Sequence, residues 1–167
     1  MSKSYQLQQQ ILNKLGIEAL NPMQDEAYLA IPAVDNTVLL SPTGTGKTLA
    51  FLLPILGELD ANLKSVQVLI LVPSRELAIQ IEQVIRKMGA GFKTNAVYGG
   101  RPFSKDKVEL SHAPAILVGT PGRIADHLRR ETFATDTIKT LVLDEFDKSL
   151  EVGFESEMSE IIAFLPQ

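Results

Sequence analysis

Two short stretches of this chain carry residue types that act on phosphates. The first, Ser41-Pro42-Thr43-Gly44-Thr45-Gly46-Lys47-Thr48, follows the apolar run Val38-Leu39-Leu40 and leads into Leu49-Ala50-Phe51-Leu52-Leu53. A glycine-rich turn between a strand and a helix exposes backbone N–H groups to a polyphosphate, and the helix points its positive end at the same place. Lys47 is then placed to reach the terminal phosphates and Thr48 to hold a magnesium ion. Ser41 departs from the general pattern, which begins with glycine at that position. The second stretch, Asp144-Glu145-Phe146-Asp147, directly follows Thr140-Leu141-Val142-Leu143. In an α/β nucleotide-binding sheet, ligands sit at the carboxyl ends of the strands. There Asp144 suits magnesium, held through water because that ion dehydrates reluctantly, and Glu145 suits orienting or deprotonating an attacking water. Each stretch also has a plain alternative: an ordinary strand-to-helix turn for the first, and a solvated acidic turn capping a helix for the second.

The elements that must hold these residues are legible as an alternation. Strand-like runs at Thr37 to Leu40, Val66 to Val72, Thr94 to Tyr98, Ala115 to Val118 and Thr140 to Leu143 are separated by helical patterns, which predicts a parallel sheet covered by helices. The clearest helix follows Ser74, with Leu77, Ile81, Val84, Ile85 and Met88 on one stripe, Ser74 as N-cap and Gly89 as the stop. Others are expected at Leu7 to Leu15 before Gly16, Gln24 to Ile31 before Pro32, Leu49 to Leu56, Lys105 to Leu110, Arg123 to Arg129 and Phe154 to Leu165.

With 167 residues and no internal repeat or linker, the chain is expected to form one domain. It contains no cysteine, so disulfides and thiolate metal sites are excluded. Sixteen basic against 20 acidic residues give a net charge of −4, so contact with nucleic acid must come from a few positioned groups and not from bulk positive potential. The opening residues lack the apolar core of a signal peptide, and no apolar run approaches a membrane span. A cytoplasmic protein is expected.

Taken in order, the motifs resemble those of one family, the DEAD-box ATP-dependent RNA helicases of superfamily 2. Gln24, after Pro22 and Met23, resembles the adenine-recognising glutamine, and Ser41 to Thr48 resembles motif I. Pro73-Ser74-Arg75-Glu76-Leu77-Ala78 resembles motif Ia, and Tyr98-Gly99-Gly100 the double-glycine motif. Thr120-Pro121-Gly122-Arg123 resembles motif Ib, and Asp144 to Asp147 motif II, as a DEFD variant. The resemblance implies an α/β fold, the RecA-like P-loop three-layer sandwich with a mainly parallel sheet, and ATP and Mg2+ as cofactors. It implies that Gln24, Ser41, Pro42, Thr43, Gly44, Thr45, Gly46, Lys47 and Thr48 bind the nucleotide. Thr48 and Asp144 would hold the metal, and Lys47, Asp144 and Glu145 would be catalytic. Pro73, Arg75, Gly100, Thr120, Gly122 and Arg123 would line an RNA path that contacts backbone without reading sequence. Asp147 would couple this domain to a second RecA-like domain of the same parent chain, the other implied partner besides RNA.

Three departures from the family pattern bear on function. Leu7 stands about where an aromatic residue usually packs on the adenine, with Tyr5 two residues earlier. Phe146 replaces alanine in motif II, which predicts crowding beside the carboxylates worth about 1–3 kcal/mol. No Ser-Ala-Thr triplet occurs, and the chain stops about where the strand carrying it would begin. The resemblance therefore implies a domain truncated before motif III, lacking the second RecA-like domain, nearly inactive alone, and with a gap or a borrowed strand at the centre of its sheet, between the strand feeding Ser41 and the strand feeding Asp144. Rival readings are a nucleotide-gated RNA clamp with little turnover, a DNA-directed superfamily 2 translocase and a small-molecule P-loop kinase. Gln24 and the Arg75-Glu76-Leu77-Ala78 segment speak against the translocase. Asp-Glu-x-Asp after the strand and Thr-Pro-Gly-Arg have no use in the kinase.

Overall fold

Four apolar runs pair into one all-parallel sheet: β1 (Val68–Leu71), β2 (Thr94–Val97), β3 (Ile116–Gly119) and β4 (Thr140–Leu143), in the order β2-β3-β1-β4. The structure is a computed structural model and describes residues 2–167. Leu69 of β1 lies between Leu117 of β3 and Leu141 of β4, which fixes the register across these three strands. No residue of β1 is more than 1% exposed. Successive side chains point to opposite faces, so burial of all four means that both faces are covered. That is why these strands read as uninterrupted apolar runs and not as alternating ones. The edge strand β4 is only half-buried along its length.

The chain divides into two compact units. The first comprises the residues up to Asp60 together with Ile85–Ala90, and contains α1 (Lys3–Leu15), α2 (Pro22–Ala30) and α3 (Lys47–Gly57). Leu49 to Leu56 of α3 are all buried, and both α1 and α2 pack on this helix. Helix α1 ends at Gly16, in the left-handed conformation, as expected. Helix α2 ends one residue before the expected Ile31, where a 3-10 turn (Ile31–Ala33) carries the chain through Pro32. The second unit comprises Ala61–Val84 and Gly91–Gln167. It holds the sheet with α5 (Phe103–Leu110), α6 (Pro121–Arg129), α7 (Phe146–Val152) and α8 (Glu155–Phe164), while α4 (Arg75–Met88) starts in it and ends in the first.

One expectation needs correction. Thr37 to Leu40, expected as a strand, is not in the sheet, and Val38 and Leu40 are 84% and 88% exposed. A β-branched apolar run expresses a propensity, but a strand exists only where a partner completes its ladder. No strand pairs with the outer side of β4, where the missing strand is expected, and Thr37 to Leu40 stand outside the four-stranded sheet. Helix α7 follows directly after Glu145, where only the reading of the acidic stretch as a helix-capping turn anticipates one.

Candidate nucleotide and nucleic-acid site

In the first unit, a capping box fixes Gln24. Its backbone N–H donates to Asn21 Oδ1 at 2.9 Å, and its Oε1 accepts from the backbone N–H of Asn21 at 3.0 Å. The other end of the amide, Nε2, donates to the carbonyl oxygen of Gly46 at 3.2 Å, and Asn21 Nδ2 donates to the carbonyl oxygen of Thr45 at 3.0 Å. The start of α2 is thereby tied to the end of the phosphate loop. Gln24 is buried, with much of its amide engaged internally.

The loop closes on itself through hydroxyls: Thr45 Oγ1 donates to the carbonyl oxygen of Pro42 at 2.7 Å, and Ser41 Oγ contacts Thr45 Oγ1. Gly46 lies at φ +84°, and a Cβ there would overlap the Gln24 amide nitrogen. Glycine is required there by both backbone and space. No side chain caps the N-terminus of α3, so the first N–H groups of an 11-residue helix remain as donors beside Lys47 and Thr48. That is the chemistry a phosphate group fits. Tyr5, 45% exposed, and Leu7 lie on α1 in the same unit.

In the second unit, the Asp144 N–H donates to the carbonyl oxygen of Leu71 at 3.0 Å, continuing the ladder between β1 and β4. Glu145 then turns the chain at φ 49°, ψ 48°, one of two non-glycine residues with positive φ among the described residues. Such a conformation costs a side-chain-bearing residue on the order of 1 kcal/mol. Asp147 is exposed in the first turn of α7. Phe146 is 45% exposed, so the crowding expected from a benzyl group is absent. Among the described residues no cluster of three His, Cys, Asp or Glu could hold a metal.

The residues assigned to nucleic acid by resemblance gather at one end of this sheet. Pro73 is half-buried, and Arg75 is exposed at the start of α4, whose Leu77 N–H donates to Ser74 Oγ at 3.2 Å. The Arg75 guanidinium lies 5.6 Å from the centroid of the Tyr98 ring, and a Cβ on Gly100 would lie 3.7 Å from Arg75 Nη1. Gly100 itself adopts φ +87°. Thr120 forms the N-cap of α6, and its N–H donates to the carbonyl oxygen of Val97 at 3.3 Å. No side chain caps α6, whose first turn contains Gly122 and Arg123. Arg123 differs from expectation: its guanidinium turns inward to Asp106 and the carbonyl oxygen of Arg101, leaving the side chain 13% exposed.

Sequence reasoning missed Asn21, Arg101, Asp106 and His127. Asn21 had a signal, since Asn followed three residues later by Gln is a capping-box pattern. Asp106 had none, because Lys105 and Lys107 beside it are exposed and it is buried only by the fold, and nothing local to His127 marks its partner Asp106, 21 residues away.

An all-parallel α/β sheet, a glycine-rich turn opening one helix and an acidic turn following the strand β4 are the features of the RecA-like class of architecture. Within that class the chain belongs to the DEAD/DEAH box helicase family, whose model matches residues 21–167. It is 42% identical to the ATP-dependent RNA helicase DbpA of Escherichia coli K12 over 159 residues, covering 93% of this chain and 35% of that one. It is 40% identical to the ATP-dependent RNA helicase DeaD of the same strain, covering 93% of this chain and 25% of that one. Against the ATP-dependent RNA helicase CshA of Listeria monocytogenes the identity is 40%, with 93% of this chain and 30% of that one covered. The chain thus spans about a third or less of the length of these curated relatives.

Proposed function

We propose that this chain is the ATP-binding and hydrolysing part of an ATP-dependent RNA helicase that remodels or locally unwinds RNA duplexes. The observation that carries the reading is the uncapped N-terminus of α3 behind Gly46, with Lys47 and Thr48 in its first turn. In this reading Ser41 to Thr48 cradle the phosphates, Lys47 neutralises charge on the transferred group, and Thr48 with Asp144 holds Mg2+. When bound, that ion would supply charge neutralisation on the phosphates. Glu145 orients the attacking water, and Gln24 meets the adenine edge with the N–H that its bond to Gly46 leaves over.

Pro73, Arg75, Gly100, Thr120 and Gly122 contact the RNA backbone, and Asp147 transmits closure to a second RecA-like domain of the parent protein. The reading also places the protein in the cytoplasm; among the described residues no helix is long and apolar enough to cross a membrane. Residues 1–167 assayed apart from a second domain and its arginine should turn over slowly, because such an arginine contributes about 10³ to 10⁵ in rate. The test is Lys47→Ala in the protein that carries both domains. ATP binding and RNA-stimulated hydrolysis should both be lost, and wild-type stimulation by DNA equal to that by RNA would overturn the RNA assignment.

A further inference from the structure

Asp106 lies within α5 with none of its side chain exposed. An ionised carboxylate in such a place requires compensation. Arg123 Nε donates to its Oδ2 at 2.7 Å, and His127 Nε2 shares that oxygen at 2.9 Å. Arg101 Nε lies 2.9 Å from Oδ1 but is misaligned for a hydrogen bond, so that contact is Coulombic and Oδ1 lacks a donor. The Arg123 fork does more than neutralise. Its Nη2 donates to the carbonyl oxygen of Arg101 at 2.6 Å, so one guanidinium joins the first turn of α6 to the backbone that follows Gly100. Phe103 seals the other side, stacked on His127 with centroids 4.3 Å apart and with Arg130 4.2 Å from its own centroid.

We propose that Asp106 is a positioning residue for RNA, which through Arg123 and Arg101 holds Gly100 and Thr120 to Gly122 in one fixed arrangement. Arg123 then acts as an internal strut and not as a phosphate ligand. The proposal rests on the RNA reading above and adds a residue that touches neither RNA nor nucleotide. Preorganisation of this kind lowers the cost of ordering a binding surface, so its loss appears in RNA affinity before it appears in chemistry.

The experiment compares Asp106→Asn with wild type in the protein that carries both domains, at a temperature well below either melting point. Asparagine keeps the shape and an acceptor for Arg123 but removes the charge. The half-saturating RNA concentration should rise about tenfold, with kcat at saturating RNA and KM for ATP held within about twofold. Arg123→Gln should raise it similarly, the double variant no further, and the salt slope of RNA binding should stay unchanged. A slope reduced by about one unit in Arg123→Gln would mark a lost phosphate contact and overturn the strut. Half-saturation unchanged in Asp106→Asn overturns the proposal alone. Should that variant fail to fold, Arg101→Gln weakens the same anchor from a partly exposed position, and half-saturation unchanged there overturns the proposal equally. Wild-type protein unresponsive to RNA overturns the helicase reading and this inference with it.

Discussion

Gln24 Nε2 donates to the carbonyl oxygen of Gly46, 3.2 Å away. The residue that resemblance assigns to the adenine therefore also fixes the last turn of the glycine-rich loop, so on the proposed reading recognition of the base and geometry of the phosphate cradle would depend on one amide. Gln24→Ala should lose both. The capping-box acceptor and the loop tie together are expected to be worth about 1–2 kcal/mol of stability, read by urea denaturation. Nucleotide affinity should fall about tenfold, in line with the 1.4 kcal/mol that a factor of ten represents, read by titration with a fluorescent ATP analogue.

Gly46→Ala tests the same contact from the other side. Alanine at φ +84° is strained, and its Cβ would displace the Gln24 amide. Destabilisation of about 1–3 kcal/mol is expected, with loss of nucleotide binding. Binding retained at wild-type strength would show that the loop tolerates a different conformation when loaded.

How much of this was legible in the sequence depends on whether the signal was local. Gly16, Ser74 and Gly89 act on their own neighbourhoods, and α1 and α4 end or begin where these residues place them. β4 spans the expected Thr140 to Leu143 because this run of strand-forming residues finds its ladder partner in β1 even as a half-buried edge strand. Thr37 to Leu40 failed because strand formation needs a partner that no local pattern supplies. Arg123 was read as an RNA ligand because arginine after Thr-Pro-Gly fits that chemistry. Its inward turn depends on Asp106, which is 17 residues away in sequence and brought near only by the packing of α5 and α6.

Phe146→Ala separates steric from functional effects in motif II. The ring is 45% exposed, so truncation should change stability by less than about 1 kcal/mol, well below the cost of emptying a core site. RNA-stimulated turnover in the two-domain protein should likewise change little. Restoration of turnover in Phe146→Ala from an inert wild type would instead favour a clamp over a helicase.

Glu145 holds a left-handed conformation that disfavours any residue with a side chain. Glu145→Gly should stabilise the second unit by about 0.5–1 kcal/mol if the strain is relieved, while abolishing hydrolysis. Glu145→Gln keeps the strain and removes only the carboxylate charge. It should leave stability unchanged and still lose hydrolysis, with ATP binding retained, which assigns the loss to chemistry and not to folding.

His127 makes stability depend on pH near neutrality. Burial pushes its imidazole below the ordinary value, and the neighbouring Arg123 pushes the same way against the opposing pull of Asp106 and Asp126. The neutral ring is therefore the folded form, with Nε2–H donating to Asp106 Oδ2 and Nδ1 accepting from Thr132 Oγ1 at 2.8 Å. Because the unfolded chain takes up the proton first, the contribution is fully present above the unfolded value of about 6.5. It is lost as pH falls from there toward the depressed folded value. Urea denaturation at pH 7.5, 6.5 and 5.5 should show stability declining with falling pH across that window, before most carboxylates titrate. In His127→Gln the decline should shrink, since a glutamine in this position donates to Asp106 without titrating. An equal decline in both proteins would assign the pH dependence to other groups.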